Sequence, residues 1–175
     1  ISYGVLLQDS PDSTIETSAL CAASGDTAAM IRIAGEGANI VIRANFITAF
    51  NGHLDSHGIW MEDCNDAAPW IVDNNRIQAT GNAAITRVDG VRAIGACHPV
   101  IDGNLQITGG GEGNASNPTG IRCGANAQGV ASKCVVLGNR KIEGSVAGFP
   151  PIATGVRCDD GGCNRIAGNL ITGIT

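Results

Sequence analysis

The sequence is short of the residues that build helices and of large rings. Only six aromatic side chains (two Trp, one Tyr, three Phe) and seven Leu occur in 175 residues, and only Lys133 and Lys141 represent lysine. Helical bundles lean on Leu, Glu and Lys, so that class is excluded. Positive charge is also scarce. Eleven basic residues face sixteen acidic ones for a net charge of −5, which leaves no basic cluster to displace counterions from a nucleic acid. No apolar run is long enough for a membrane-crossing helix, because the longest, Ala28 to Phe50, is broken by Arg32, Glu36 and Arg43. The seven cysteines contain no CxxC spacing of the zinc type. No leader segment is visible. The chain starts at Ile1 and enters a strand-like run at once, as a mature or trimmed chain would.

What is present points to strands and turns. There are 25 Gly, 20 Ile and 14 Asn, with 43 % hydrophobic and only 15 % charged residues. Ile and Val favour strands, Gly and Asn favour tight bends, and the apolar share is large enough to fill a core. Seven cysteines without metal spacing are expected to form disulfides in an oxidising setting, so a secreted or cell-surface location is expected.

A phrase recurs along the chain. It runs apolar strand, Asn, then an apolar residue two or three positions later, usually followed by Gly. The aligned asparagines are Asn45, Asn75, Asn104, Asn139 and Asn169, spaced 30, 29, 35 and 30. A second phrase precedes each copy: Gly58-Ile-Trp-Met, Gly90-Val-Arg-Ala, Gly120-Ile-Arg-Cys and Gly155-Val-Arg-Cys, with weaker forms at Gly4-Val and Met30-Ile. Leucine-rich repeats need more Leu, propeller blades are longer, and helical repeats need helix formers. The fold class is therefore all-β: a single-stranded parallel β-helix of about six coils, one domain over residues 1–175. Like residues should stack in columns, Val5, Ile59, Val91, Ile121 and Val156 facing inward. The Asn column should sit at a sharp corner, where Asn tolerates left-handed backbone angles and its amide can bond to the next coil.

The repeat resembles the right-handed parallel β-helix of the pectin-lyase-like superfamily over nearly the whole chain, and the resemblance implies the right-handed sense. The form Gly-[Ile/Val]-Arg-Cys…Cys…Ile-x-Gly-Asn-x-Ile-x-Gly is similar to cysteine-bearing surface β-helix proteins of Gram-negative bacteria. That superfamily holds lyases, hydrolases, epimerases and passive scaffolds, so the fold does not name an activity.

The cysteines fall into two columns. Cys64, Cys97, Cys134 and Cys163 precede their strands, and Cys123 and Cys158 lie in the Gly-x-Arg-Cys phrase. The favoured pairing is Cys123 with Cys134 and Cys158 with Cys163, because each coil gains both members together. Cys64 and Cys97 could bridge adjacent coils. The rival pairing, Cys123–Cys158 with Cys134–Cys163, passes the same distance test. Cys21 is left over, expected as a small buried apolar residue.

Candidate chemistry is sparse. His53, Asp55 and His57 share one side of an extended segment and form a candidate metal triad, against the plainer reading of an exposed polar loop between coils two and three. Asp159-Asp160 invites comparison with the paired acids of glycoside hydrolases but sits inside a short turn. Trp60 and Trp70 are candidate sugar platforms, and His98 is a corner residue. Arg92, Arg122 and Arg157, with Arg32 as an extension, form an outward column that calls for interleaved carboxylates or an anionic polysaccharide. No catalytic residue and no cofactor is assigned. The expected function is a non-enzymatic extracellular or cell-surface scaffold, adhesin-like stalk or assembly module. Its expected partners are further coils of a parent chain or copies of itself end to end. The alternative is a carbohydrate-active enzyme or binding module for acidic polysaccharide.

Overall fold

The structure is a computed structural model that describes residues 1–21, 25–35, 39–64, 70–81, 87–112, 118–147 and 153–173. Of these, 51–53, 111–112, 145–147 and 173 are described by backbone alone. Every element is a strand, and no helix occurs among the described residues. The strands come in triplets that stack as rungs. The first rung is β1 (Ser2–Gln8), β2 (Thr14–Glu16) and β3 (Ala19–Cys21); the second is β4 (Gly25–Ala34), β5 (Val41–Arg43) and the opening half of β6 (Phe46–Glu62). The end of β6, β7 (Trp70–Asp73) and β8 (Arg76–Gly81) make the third, and β9 (Arg87–Ile94), β10 (Pro99–Asp102) and β11 (Gln106–Glu112) the fourth. The fifth is β12 (Thr119–Gly124), β13 (Cys134–Leu137) and β14 (Ile142–Ala147); the sixth is β15 (Thr154–Cys158), β16 (Cys163–Ala167) and β17 (Ile171–Gly173). All pairing between named strands is parallel, rung on rung. The chain is a parallel β-solenoid with three faces.

Each face sends one file of apolar side chains inward. Val5, Ile31, Ile59, Val91, Ile121 and Val156 are register partners on the first face. Ile15, Ile42, Val72, Ile101, Val136 and Ile166 follow on the second. Leu20, Ile47, Ile77, Ile107, Ile142 and Ile171 complete the third. The middle members are fully buried, each worth about 1.5–3 kcal/mol of burial. Ile166 and Ile171 in the sixth rung are 43 % and 41 % exposed, because they have a neighbour on one side only.

The Asn column lies between the second and third faces and is a hydrogen-bonded ladder. The side-chain amides of Asn45, Asn75, Asn104 and Asn139 donate to Oδ1 of the next Asn at 3.1, 3.1, 2.8 and 2.7 Å. Their backbone N–H groups donate to the same oxygens at 2.9, 2.9, 3.0 and 2.9 Å. Each amide also reaches a backbone carbonyl of the preceding rung, such as Ile42 from Asn75 at 2.8 Å. The left-handed angle of the corner, expected of the Asn, falls on the small or turn-prone residue before it, where a tight bend favours such residues. Ala44, Asn74, Gly103, Gly138 and Gly168 carry positive φ values of 55, 52, 58, 55 and 67°. The ladder asparagines are absent from the positive-φ set, so they are there for their amides, and the preceding residue takes the left-handed turn.

The glycines of the second phrase answer a different need. A Cβ on Gly90 would lie 2.7 Å from the Gly120 carbonyl oxygen and 2.8 Å from Cγ2 of Ile107. One on Gly120 would meet the Gly155 carbonyl at 2.6 Å and Ile142 at 2.7 Å. The first face turns so closely over the isoleucines of the third that no side chain fits.

Three disulfides staple the stack. Cys64–Cys97 joins rungs three and four with Cα atoms 4.7 Å apart. Cys123–Cys134 and Cys158–Cys163 close loops within rungs five and six at 6.4 and 5.5 Å. Cys21 is free and exposed, contrary to the expectation of burial. Strand alternation explains this: Leu20 takes the inward position of β3 and its neighbour Cys21 faces out.

Candidate functional site

The polar side chains concentrate on the outer surface of the first face. Asn51–Gly58, expected as a loop or a metal triad, is instead the middle of the 17-residue β6, which runs without a break from rung two into rung three. In a solenoid the nearest neighbour of an outward residue is its register partner about 4.8 Å away on the next rung, nearer than the residue two positions along its own strand. The candidate ligands follow that rule. Asp55 is paired with Arg87 at 4.0 Å, and Nδ1 of His57 lies 3.3 Å from Oδ2 of Asp89. The side chain of His53 lies outside the described residues. No group of three His, Cys, Asp or Glu placed to hold a metal occurs among the described residues.

His57 and Asp89 are 1 % and 0 % exposed, and Arg92 reaches the same Asp89 oxygen at 3.7 Å. The His57–Asp89 contact is close but poorly aligned, so neither carboxylate oxygen of Asp89 gains a well-formed hydrogen bond. Burial holds the His57 imidazole below its ordinary pKa and outweighs the raising effect of Asp89. Burial likewise lowers Arg92 against the pull of Asp89. The imidazole is therefore neutral near pH 7, wedged against a carboxylate that Arg92 neutralises. Its ring sits 5.3 Å from that of Trp60.

The outward column reads Arg32, Trp60, Arg92, Arg122 and Arg157 in register, so Trp60 takes one place in the expected arginine file. The ring relieves the repulsion between like charges. Arg32 stacks over it at 4.1 Å and Arg92 at 5.8 Å. Carboxylates interleave elsewhere: Glu62 with Arg32 at 3.0 Å, and Asp159 with Arg122 at 3.1 Å and Arg157 at 2.8 Å. Burial alone would raise the Asp159 carboxyl, but the hydrogen bond from Arg157 and the charge of Arg122 prevail and hold it low. Asp159 is thus committed as an anion and is poorly suited to be a proton donor. Its neighbour Asp160 is exposed in a left-handed turn at φ 50°. Trp70 is 1 % exposed at the start of β7, so it is a core residue and no platform for sugar. His98 sits half-buried beside Cys97 at the corner before β10.

Arg92, Arg122 and Arg157, with Asp159, Asp160 and Gly124, line an open groove of about 440 Å³ across rungs four to six. Three guanidiniums share this groove with two carboxyl groups, and Arg122 and Arg157 are already paired with Asp159. The pairing of His57 with Asp89 escaped the sequence reading. A signal existed: each residue stands directly before a glycine of the second phrase, Gly58 or Gly90, and alignment on those glycines superposes them.

Fold and site together define a disulfide-stapled parallel β-solenoid with an arginine-lined outer groove. No known family, curated protein or solved structure matches the chain.

Proposed function

We propose that the chain is a structural module of the cell exterior, a non-enzymatic spacer, adhesin-like stalk or assembly element built as a right-handed β-helix of the pectin-lyase-like kind. The observation that carries this reading is where the polar groups are spent. The buried amides form one axial ladder, and the outward acids Glu62, Asp55 and Asp159 of the first face are tied to Arg32, Arg87 and Arg122 of adjacent rungs. Three disulfides support an oxidising compartment, secreted or at the cell surface. The edges of the first and sixth rungs are the surfaces that further coils or a second copy would cover. Sedimentation over a range of concentrations tests the assembly part. Growth to end-to-end oligomers supports it, and a monomer at every concentration overturns it. Thiol labelling in intact producing cells tests location: six of the seven cysteines should resist labelling, and finding them reduced in the cytosol sinks the reading.

A second reading, binding of acidic polysaccharide, is favoured by the arginine groove alone. A glycan array at low and moderate salt decides it. Retention of acidic glycans that weakens with salt and with Arg122→Ala supports binding, and no retention at low salt removes it.

A further inference from the structure

The four cysteines of rungs five and six occupy the corners of a small quadrilateral. Two of its sides are the bridges already present, Cys123–Cys134 and Cys158–Cys163, with Cα atoms 6.4 and 5.5 Å apart. The other two sides are register pairs of the parallel sheets: Cys123 opposite Cys158 between β12 and β15, and Cys134 opposite Cys163 between β13 and β16. Register partners in adjacent rungs stand about 4.8 Å apart, inside the roughly 4.4–6.8 Å span a disulfide bridges. The molecule itself contains such a rung-to-rung bridge, Cys64–Cys97, at a Cα separation of 4.7 Å. All four sides of the quadrilateral therefore have Cα separations within bridging range.

We propose that these cysteines form an exchangeable pair of bridges, in which a small thiol converts the within-rung pairing into the between-rung pairing Cys123–Cys158 and Cys134–Cys163. Accessibility sets the entry point. Cys123 and Cys134 are 0 % exposed, whereas Cys158 is exposed at the outer end of β15. An external thiolate attacks Sγ of Cys158, forms a mixed disulfide there and releases Cys163 as a thiolate. Cys163 attacks Sγ of its register partner Cys134, making Cys134–Cys163 and expelling the Cys123 thiolate. Cys123 then attacks the mixed disulfide at Cys158, closes Cys123–Cys158 and returns the external thiolate. Three S–S bonds form and three break, and no net electrons move, so the thiol is a catalyst and no oxidant is needed.

The two states differ mechanically. Within-rung bridges close local loops and leave rungs five and six joined by hydrogen bonds and packing. The between-rung pairing would tie them covalently, as Cys64–Cys97 ties rungs three and four. The inference rests on register and burial, and it stands whether or not the scaffold reading holds.

The test uses the full chain with Cys21→Ser, which removes the free thiol as a source of intermolecular exchange. The protein is incubated with a glutathione redox buffer, quenched by acid and alkylation, and cut without reduction by proteases specific for Lys and Asp. Lys133, Lys141 and the Asp159-Asp160 pair place a cut between every two of the four cysteines. The expected result is linked peptides carrying Cys134–Cys163 and Cys123–Cys158, at about a tenth of the native pairs or more, the share left by a difference of about 1.4 kcal/mol. Detecting only native pairs, under conditions where alkylation shows that Cys158–Cys163 opens, overturns the proposal. A Cys123→Ser, Cys158→Ser variant supplies an independent arm. Spontaneous closure of Cys134–Cys163 with the β spectrum retained supports the geometry, and two persistent thiols in a folded chain refute it.

Discussion

The side-chain amide of Asn104 donates to Oδ1 of Asn139 at 2.8 Å, although 35 residues separate them. Asn104 also takes the amide and backbone N–H of Asn75 on its own oxygen and gives a 2.8 Å bond to the Val72 carbonyl. It is 0 % exposed. Replacing it by Leu strands donors and acceptors on both sides, and each buried orphan costs about 1–3 kcal/mol. Asn104→Leu should therefore lower stability by about 3 kcal/mol or more. Asn169→Leu, at the half-exposed last position, should cost clearly less. Urea midpoints of the two variants check the order, and equal losses would contradict the ladder.

The glycine column gives a steric prediction. Gly120→Ala forces a methyl to within 2.6 Å of the Gly155 carbonyl. Overpacking of this kind costs about 1–3 kcal/mol, with backbone as the obstacle on one side. Gly129→Ala provides the contrast. That site has open space around it, though its φ of 77° also disfavours a side chain. Its loss should stay near about 1–2 kcal/mol, the cost of a left-handed alanine alone. Thermal melts of both variants make the comparison.

The Cys64–Cys97 bridge should matter more than Cys158–Cys163. The first spans 33 residues and the second 5. Loop-closure entropy then assigns about 3.7 kcal/mol to the long bridge and about 2 kcal/mol to the short one. Paired Cys→Ala variants compared by chemical denaturation would show this order, and the reverse would mean that loop entropy is not the governing effect.

Acid should weaken the fold through His57. Burial holds the folded imidazole below 6.5, the ordinary value it regains when unfolded. Between those two values the unfolded chain binds more protons, so stability rises with pH across that window and falls as pH drops below about 6.5. Unfolding midpoints between pH 7.5 and 5 should decline, and His57→Gln should flatten the decline whatever it does to absolute stability. An unchanged slope in the variant would remove His57 as the cause.

Much of the architecture was legible because a solenoid writes its geometry as a period. The spacing of the asparagines fixes the rungs, and the co-occurrence of Cys123 with Cys134 and of Cys158 with Cys163 anticipates two of the bridges seen. Contacts that depend on the exact length of one rung were harder to read. His57 meets Asp89 because 32 residues separate them, the same step that separates Gly58 from Gly90. The polar run Asn51–Gly58 looks solvated by composition, yet β6 runs through it and leaves Ser56 and His57 buried. Trp60 relieves the arginine file because its ring can be sandwiched, a role that composition does not reveal.

The amide ladder also has a direction. Asn45, Asn75, Asn104 and Asn139 each give one amide hydrogen to the oxygen of the higher-numbered Asn and the other to a backbone carbonyl of the preceding rung, so the amide-to-amide bonds all run one way. The column is a vector. A rung that extended the ladder beyond Asn169 would present an oxygen to it, whereas at the other end the backbone N–H of Ser18 already fills the place of a donor on Asn45 Oδ1. Two molecules meeting with the same pole foremost would reverse that sense at their junction, so only stacking with every subunit pointing the same way would continue the ladder.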